Sequence, residues 1–251
     1  LYAVKALLNS SKLFPGSLLS FQLEKEILQR ITCKNVPRFI ESFSYDEVNC
    51  IVQEYIPGWP LSYLIDTGYY FNEKEVKDIL RQLLAILKEL HCPLAKENAV
   101  VHRDIRLSNL LLYNGKLYLV DFGLARFLDP RQFPFCPNST DNSPAGSNLS
   151  SLKEDTHYNR GKFFEQKIPG HETYRLMRTE ISPRSDLFGV GIVGVDLFTN
   201  LVEDESQFEL PWDKVLTMSE SFMFFLKKLL SRKKGFKTAE EALNYLESLP
   251  Q

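Results

Sequence analysis

Residues 100–112 read VVHRDIRLSNLLL: Val100, Val101, His102, Arg103, Asp104, Ile105, Arg106, Leu107, Ser108, Asn109, Leu110, Leu111, Leu112. A His, two Arg, an Asp and an Asn stand between two short apolar runs of buried character. An Asp followed five residues later by an Asn can divide one chemical task. The carboxylate accepts the proton of an attacking hydroxyl, and the amide oxygen holds a divalent metal. Twelve residues after Asn109 comes Val120-Asp121-Phe122-Gly123. A second carboxylate at a strand end, followed by a glycine that frees the backbone, suits a Mg²⁺ ligand facing nucleotide phosphates. Upstream, Lys5 lies in a strand-like run and Glu24 in a helix-like one. A Lys held by a Glu can be fixed against two phosphate oxygens. Taken alone, Lys5 and Glu24 read as a surface ion pair of little worth, and Asp121 as a residue that merely ends a strand.

Working outward, residues 1–8 (LYAVKALL) predict a strand and residues 18–31 a helix. The stretch PRFIESFSYDEVNCIVQEYIPG, 37–58, predicts two strands joined by a polar turn at Ser44–Glu47. Asn72 followed by Glu75 is a capping-box pattern. Behind it Val76, Ile79, Leu80, Leu83, Leu84, Leu87 and Leu90 recur at helical spacing, which makes that stripe core. Short strands at 110–113 and 117–120 flank Asn114-Gly115, a strong hairpin signal. Residues 131–161 turn polar and predict a mobile loop. Residues 185–200, SDLFGVGIVGVDLFTN, are long enough to favour a buried helix over a strand, with Asp196 as a structural or helix-end residue. Two amphipathic helices are expected near 219–231 and 238–248.

Composition narrows the classes. The 251 residues are 44% hydrophobic and 25% charged, which is globular and suits one large domain or two lobes. A net charge of −2 and a pI near 6.2 give no reason to expect nucleic acid or an anionic membrane as partner. No apolar run reaches the length of a membrane span, and no secretory signal is visible. Cys33, Cys50, Cys92 and Cys136 are scattered with no CxxC pair, so reduced thiols and a cytoplasmic location are expected. His91-Cys92 has no further ligand pair near it, which argues against zinc. The first residue is Leu, so a piece of a longer product is expected.

Together HRDIRLSN, DFG and YAVK, in this order and spacing, resemble the catalytic loop, metal-binding motif and third-strand lysine of the eukaryotic-type protein kinase family. The resemblance runs from Leu1 to about Leu249 and is closest to short bacterial serine/threonine kinases. It implies an α+β, two-lobed fold in one domain: a partial small lobe over 1–57, a mainly helical lobe over 58–251, and a variable activation segment over 121–180. It implies ATP and Mg²⁺ as cofactors and a protein substrate as partner; the oligomeric state stays open. Lys5 resembles the lysine that anchors the α- and β-phosphates, with Glu24 as its helix partner and Glu26 as the fallback. Gln53 falls at the gatekeeper position, and the backbone of Glu54 and Ile56 would meet adenine. Asp104 resembles the catalytic base. Arg106 stands where a lysine usually reaches the γ-phosphate, as in some tyrosine kinases. Asn109 and Asp121 resemble the metal ligands, Asp186 the buried aspartate that braces the catalytic loop, and His102 a structural residue of that loop. Arg103 before Asp104 is the pattern of members whose activation loop is phosphorylated, and the Ser/Thr-rich stretch 138–156 is a phosphorylation target or a solvated linker.

Three departures accompany the resemblance. Residues 1–251 contain no Gly-rich phosphate loop. The family's APE motif is missing, with Arg175 near the acidic position and Glu172 and Glu180 off register. Its usual partner arginine, expected in KKGFKTAEEAL, is replaced by Gly235. Loss of both partners is coherent, since loss of one alone strands a charge; a rebuilt peptide-docking region is expected. Two other functions fit parts of the pattern: a nucleotide-binding scaffold without turnover, and a small-molecule phosphotransferase on a related fold.

Overall fold

The computed structural model describes residues 1–7, 15–46, 48–133 and 180–250. The first sheet is built from β1 (Tyr2–Leu7), β2 (Phe39–Tyr45) and β3 (Val48–Glu54), antiparallel in the order β1-β3-β2. Asp46 takes a left-handed φ of 45° in the polar turn between β2 and β3. Helix α1 (Pro15–Arg30) starts before the expected residue 18 and packs on this sheet through Leu23, Ile27 and Leu28, all buried. Glu24 and Glu26 share the helix but leave it in different directions, Glu24 buried and Glu26 half-buried.

The chain then enters a helical layer. Strand β4 (Trp59–Pro60) leads into α2 (Leu61–Asp66) and α3 (Glu73–His91). Asn72 Oδ1 accepts from Glu75 N at 3.0 Å while Glu75 Oε2 accepts from Asn72 N at 2.9 Å, so the expected capping box forms. All seven residues of the leucine-rich stripe are buried, at 4% exposure or less. Truncating one, such as Leu83→Ala, costs about 2–5 kcal/mol by transfer and cavity terms.

Four short strands then frame the quoted stretch. Strands β5 (Val100–Val101) and β6 (Leu110–Tyr113) bracket residues 102–109, and β7 (Lys116–Leu119) and β8 (Arg126–Phe127) bracket residues 120–125. Strand β5 pairs with β8, and β6 with β7. Cross-pairing of this kind brings two loops of distant sequence against one another. The hairpin β6-β7 turns on Asn114 (φ 49°) and Gly115 (φ 74°), the left-handed pair that a two-residue turn of this hand requires.

Helix α4 (Pro183–Asp196) runs through the centre of the layer and is buried on all sides from Ser185 to Asp196. The short α5 (Trp212–Val215), α6 (Glu220–Leu230) and α7 (Ala239–Glu247) close it. Phe222, Phe225 and Phe236 are fully buried; Phe225 and Phe236 pack with Tyr245, and Phe222 stacks on Phe225. A sheet with one helix beside a helical body is the two-lobed α+β arrangement of protein kinases. The expected loop at 131–161, the Ser/Thr stretch 138–156 and Glu172 and Arg175 lie outside the described residues, apart from residues 131–133. Among the described residues no helix is long and apolar enough to cross a membrane.

Candidate active site

Lys5 projects from β1 and meets two carboxylates at once. Its Nζ lies 2.8 Å from Glu24 Oε1 and 2.8 Å from Asp121 Oδ1. The choice left open on α1 is thereby resolved in space: Glu24 faces Lys5, whereas Glu26 turns to Arg30. The side chains of Lys5 and Asp121 are 43% and 46% exposed, that of Glu24 only 5%. Burial alone would lower the Lys5 pKa, but the two carboxylates outweigh it and hold the ammonium above its ordinary value. Burial pushes the Glu24 carboxyl up, with Lys5 opposing. Asp121 moves the other way: burial would raise it, yet Lys5 and the Gly123 N–H hold it below the usual carboxylate range.

Asp121 has φ 64°. That left-handed conformation is tolerated by aspartate and is held here by Gly123 N donating to Asp121 Oδ1 at 3.3 Å. Space at Gly123 is tight: a Cβ there would lie 3.2 Å from Lys5 Nζ and 3.3 Å from Asp121 Oδ1 and would press on both groups.

The Asp104 loop sits directly against this turn. Val120 N donates to Asn109 O at 3.0 Å, and His102 Nε2 donates to Val120 O at 3.1 Å. Asp104 N donates to His102 Nδ1 at 3.2 Å. Both ring nitrogens of the buried His102 are thus occupied by backbone, and the ring packs edge-on against Phe122. It has no nitrogen to offer a substrate. Asn109 Nδ2 donates to Asp104 Oδ2 at 2.9 Å and to Asp104 O at 3.0 Å. Both amide hydrogens are committed, and Oδ1 is the atom left to act as a ligand. Arg106 Nε lies 3.5 Å from Asp104 Oδ2.

Beneath the loop, Asp186 of α4 accepts three hydrogen bonds: His102 N to Oδ2 at 2.8 Å, Arg103 N to Oδ1 at 2.7 Å, and His91 Nε2 to Oδ2 at 2.8 Å. Burial would raise this carboxyl, but His91 and the backbone donors hold it below its ordinary value. Arg103 has φ 66°, the bend that lets two successive amides reach one carboxylate. His91 was missed as a member of the site. Its signal was positional: it follows Leu87 by four residues on the buried face of α3.

Gln53 is half-buried in β3 and Ile56 buried beyond it. Glu54 N donates to Arg38 O at 2.9 Å, and Glu54 ends β3 opposite Tyr2 of β1. A hard divalent cation fits Asp121 and Asn109: one carboxylate and one amide oxygen, with phosphate and water completing the shell, is how Mg²⁺ is usually held. Among the described residues no cluster of three or more His, Cys, Asp or Glu could hold a metal by itself.

A family model described as the protein kinase domain matches residues 1–145. The chain is 29% identical to "Serine/threonine-protein kinase B" of Synechocystis over 237 residues, 90% of this chain and 37% of the relative. It is 33% identical to "Probable serine/threonine-protein kinase YbdM" of Bacillus subtilis over 113 residues, 45% of this chain and 42% of that protein. It is 30% identical to "Serine/threonine-protein kinase Nek11" of Mus musculus over 125 residues, 48% of this chain and 19% of that protein. The match thus covers less than half the length of each of these three relatives.

Proposed function

The chain belongs to the protein kinase family, and on that premise we propose that it transfers the γ-phosphate of ATP to Ser or Thr hydroxyls of protein substrates, with Mg²⁺. The observation that carries the reading is the junction of two loops. Lys5 bridges Glu24 and Asp121, and the backbone beside Asp121 is bonded to the loop that carries Asp104 and Asn109. Charge held in this way needs little reorganisation when a phosphoryl group passes between two oxygens.

Each residue has a role in this reading. Lys5 anchors the α- and β-phosphates once they replace Asp121 at its ammonium, and Glu24 keeps it aimed. Asp104 accepts the proton of the attacking hydroxyl. Arg106 reaches the γ-phosphate with a planar, always charged group. Asn109 Oδ1 and Asp121 hold Mg²⁺, which neutralises phosphate charge. Gln53, Glu54 and Ile56 line the purine site. Residues 1–57 act as the smaller lobe and 58–251 as the larger, with residues 121–180 receiving the substrate in a cytoplasmic setting. The choice of Ser/Thr follows the names of the relatives.

The test is transfer of label from γ-labelled ATP into protein by the full-length gene product, beside an Asp121→Asn control. Label that vanishes in the control supports the reading. Nucleotide-dependent thermal stabilisation without label would replace it with a nucleotide-binding scaffold. Label moving only to small alcohols would replace it with a small-molecule phosphotransferase.

A further inference from the structure

Gly235 lies in the turn between α6 and α7, and its φ is not in the left-handed region, so backbone freedom does not explain the glycine. Space does. A Cβ at 235 would overlap Arg184 Nη1 and lie 2.8 Å from Arg184 Cζ and 2.7 Å from Ser231 O. The guanidinium of Arg184 occupies the volume that a side chain at 235 would need.

Arg184 is bonded there by three backbone carbonyls. Nη1 donates to Phe236 O at 2.7 Å, and Nη2 donates to Ser231 O at 2.5 Å and to Arg232 O at 3.3 Å. Two of these carbonyls directly follow the last turn of α6, where orphan acceptors and the negative end of the helix favour a cation. Arg184 itself sits in the first turn of α4, where the helix field disfavours a cation. Burial disfavours its charge as well, with Glu180 and Glu241 opposing. Its presence at that position is accounted for by the carbonyls it satisfies across the gap.

Two residues further along α4 is Asp186, which receives the His102 and Arg103 amides. About a turn and a half beyond Arg184, Gly189 brings α4 against Ile105, with an added Cβ only 2.7 Å from the Ile105 side chain. The first two turns of α4 are therefore the floor of the Asp104 loop. We infer that Arg184 is a positioning residue, whose guanidinium seated over Gly235 fixes the start of α4 and so holds Asp186 under the His102–Arg103 backbone. The arginine missing from the α6–α7 turn is supplied from the opposite side. Its catalytic readout rests on the phosphotransfer reading above; its structural readout does not.

The experiment is a double-mutant cycle on the full chain with Gly235→Ala, Arg184→Ala and the pair, plus Arg184→Lys as a milder variant that keeps the charge but not the fork. Exchange of the His102 and Arg103 amides is followed by NMR, beside kcat and KM for ATP. Gly235→Ala is expected to speed exchange at those two amides by about tenfold and to lower kcat by a similar factor, with KM for ATP moving less than about twofold. Arg184→Ala acts in the same direction and Arg184→Lys to a lesser extent. In the Arg184→Ala background the alanine at 235 keeps its 2.7 Å approach to Ser231 O and loses only the part of its cost that the guanidinium imposes, so the two substitutions are expected to be less than additive. An alanine equally costly in both backgrounds, or exchange at His102 and Arg103 unchanged in every variant, overturns the inference. A parent that transfers no phosphate overturns the phosphotransfer reading and leaves the exchange arm to decide this one.

Discussion

Asp121 and Asp186 are both carboxylates whose pKa is held below its ordinary value, and they do opposite work. Asp121 is nearly half exposed, carries a left-handed backbone and shares one ammonium with Glu24. Asp186 is fully enclosed and receives two backbone amides and an imidazole. The first pairing can be exchanged, because water or an incoming cation can replace Lys5 at little cost in a cleft open to solvent. The second cannot, because the carboxylate itself is enclosed and no other acceptor stands ready to satisfy those amides. A reacting carboxylate and a bracing carboxylate are thus told apart by what could take their partners' place.

The largest expected effect breaks the first member of the pair. Asp121→Asn removes the anionic ligand and keeps the shape. Phosphotransfer should fall by about 10³-fold, while unfolding free energy changes by less than about 1 kcal/mol, because Lys5 retains Glu24. Parallel label-transfer and denaturant-unfolding measurements check this. A stability loss as large as that of the next variant would erase the contrast between the two aspartates.

Asp186→Asn should behave in the reverse sense. An amide in that position turns a donor toward one of its three donors, so a buried N–H loses its acceptor. Unfolding free energy should drop by about 3–5 kcal/mol, with activity lost as a consequence. The same carboxylate gives a pH dependence of definite sign. Its folded pKa lies below the ordinary aspartate value, held there against burial by His91 and the backbone amides. Its contribution is therefore complete above the unfolded pKa and is lost as pH falls from there toward the folded value. Urea midpoints between pH 6 and pH 3 should fall more steeply for the parent than for Asp186→Asn. Parallel curves would show that another group governs the acid limb.

These two carboxylates were not equally legible in the sequence. Asp121 announces itself through the Phe-Gly that follows, since the left-handed turn and the close approach of Lys5 both leave a local mark. The Asn72–Glu75 box, the α3 stripe and the Asn114-Gly115 hairpin were legible for the same reason: each is decided within a few residues. Asp186 could be singled out only by resemblance. Its partners His91 and His102 lie 95 and 84 residues away in the chain, and no local pattern encodes that closure. The Arg184–Gly235 fit is of the same kind: a glycine that looked like a loss is a vacancy filled from another helix. The β5–β8 pairing was also unforeseen, because two-residue strands carry no periodicity.

Glu24 and Glu26 carry the same lesson to a smaller scale, on one helix. They are two residues apart, so they point to different sides of α1. Glu24 is buried beside Lys5. Glu26 closes a surface pair with Arg30, whose guanidinium also reaches Gln132 Oε1 at 3.1 Å and lies 5.0 Å from the Phe127 ring centre. Glu24→Gln should lower kcat by about ten- to a hundredfold, because the only anionic partner left to Lys5 is then the one that phosphate must displace. Glu26→Gln should leave kcat within about twofold and cost about 0.3–0.5 kcal/mol, the worth of an exposed i,i+4 pair. Steady-state kinetics on the two variants side by side decide the matter. Equal losses would mean that Arg30, through Gln132 and Phe127, couples the far side of α1 to the turn after Asp121. Glu26 would then belong with the exchangeable cluster instead of the surface.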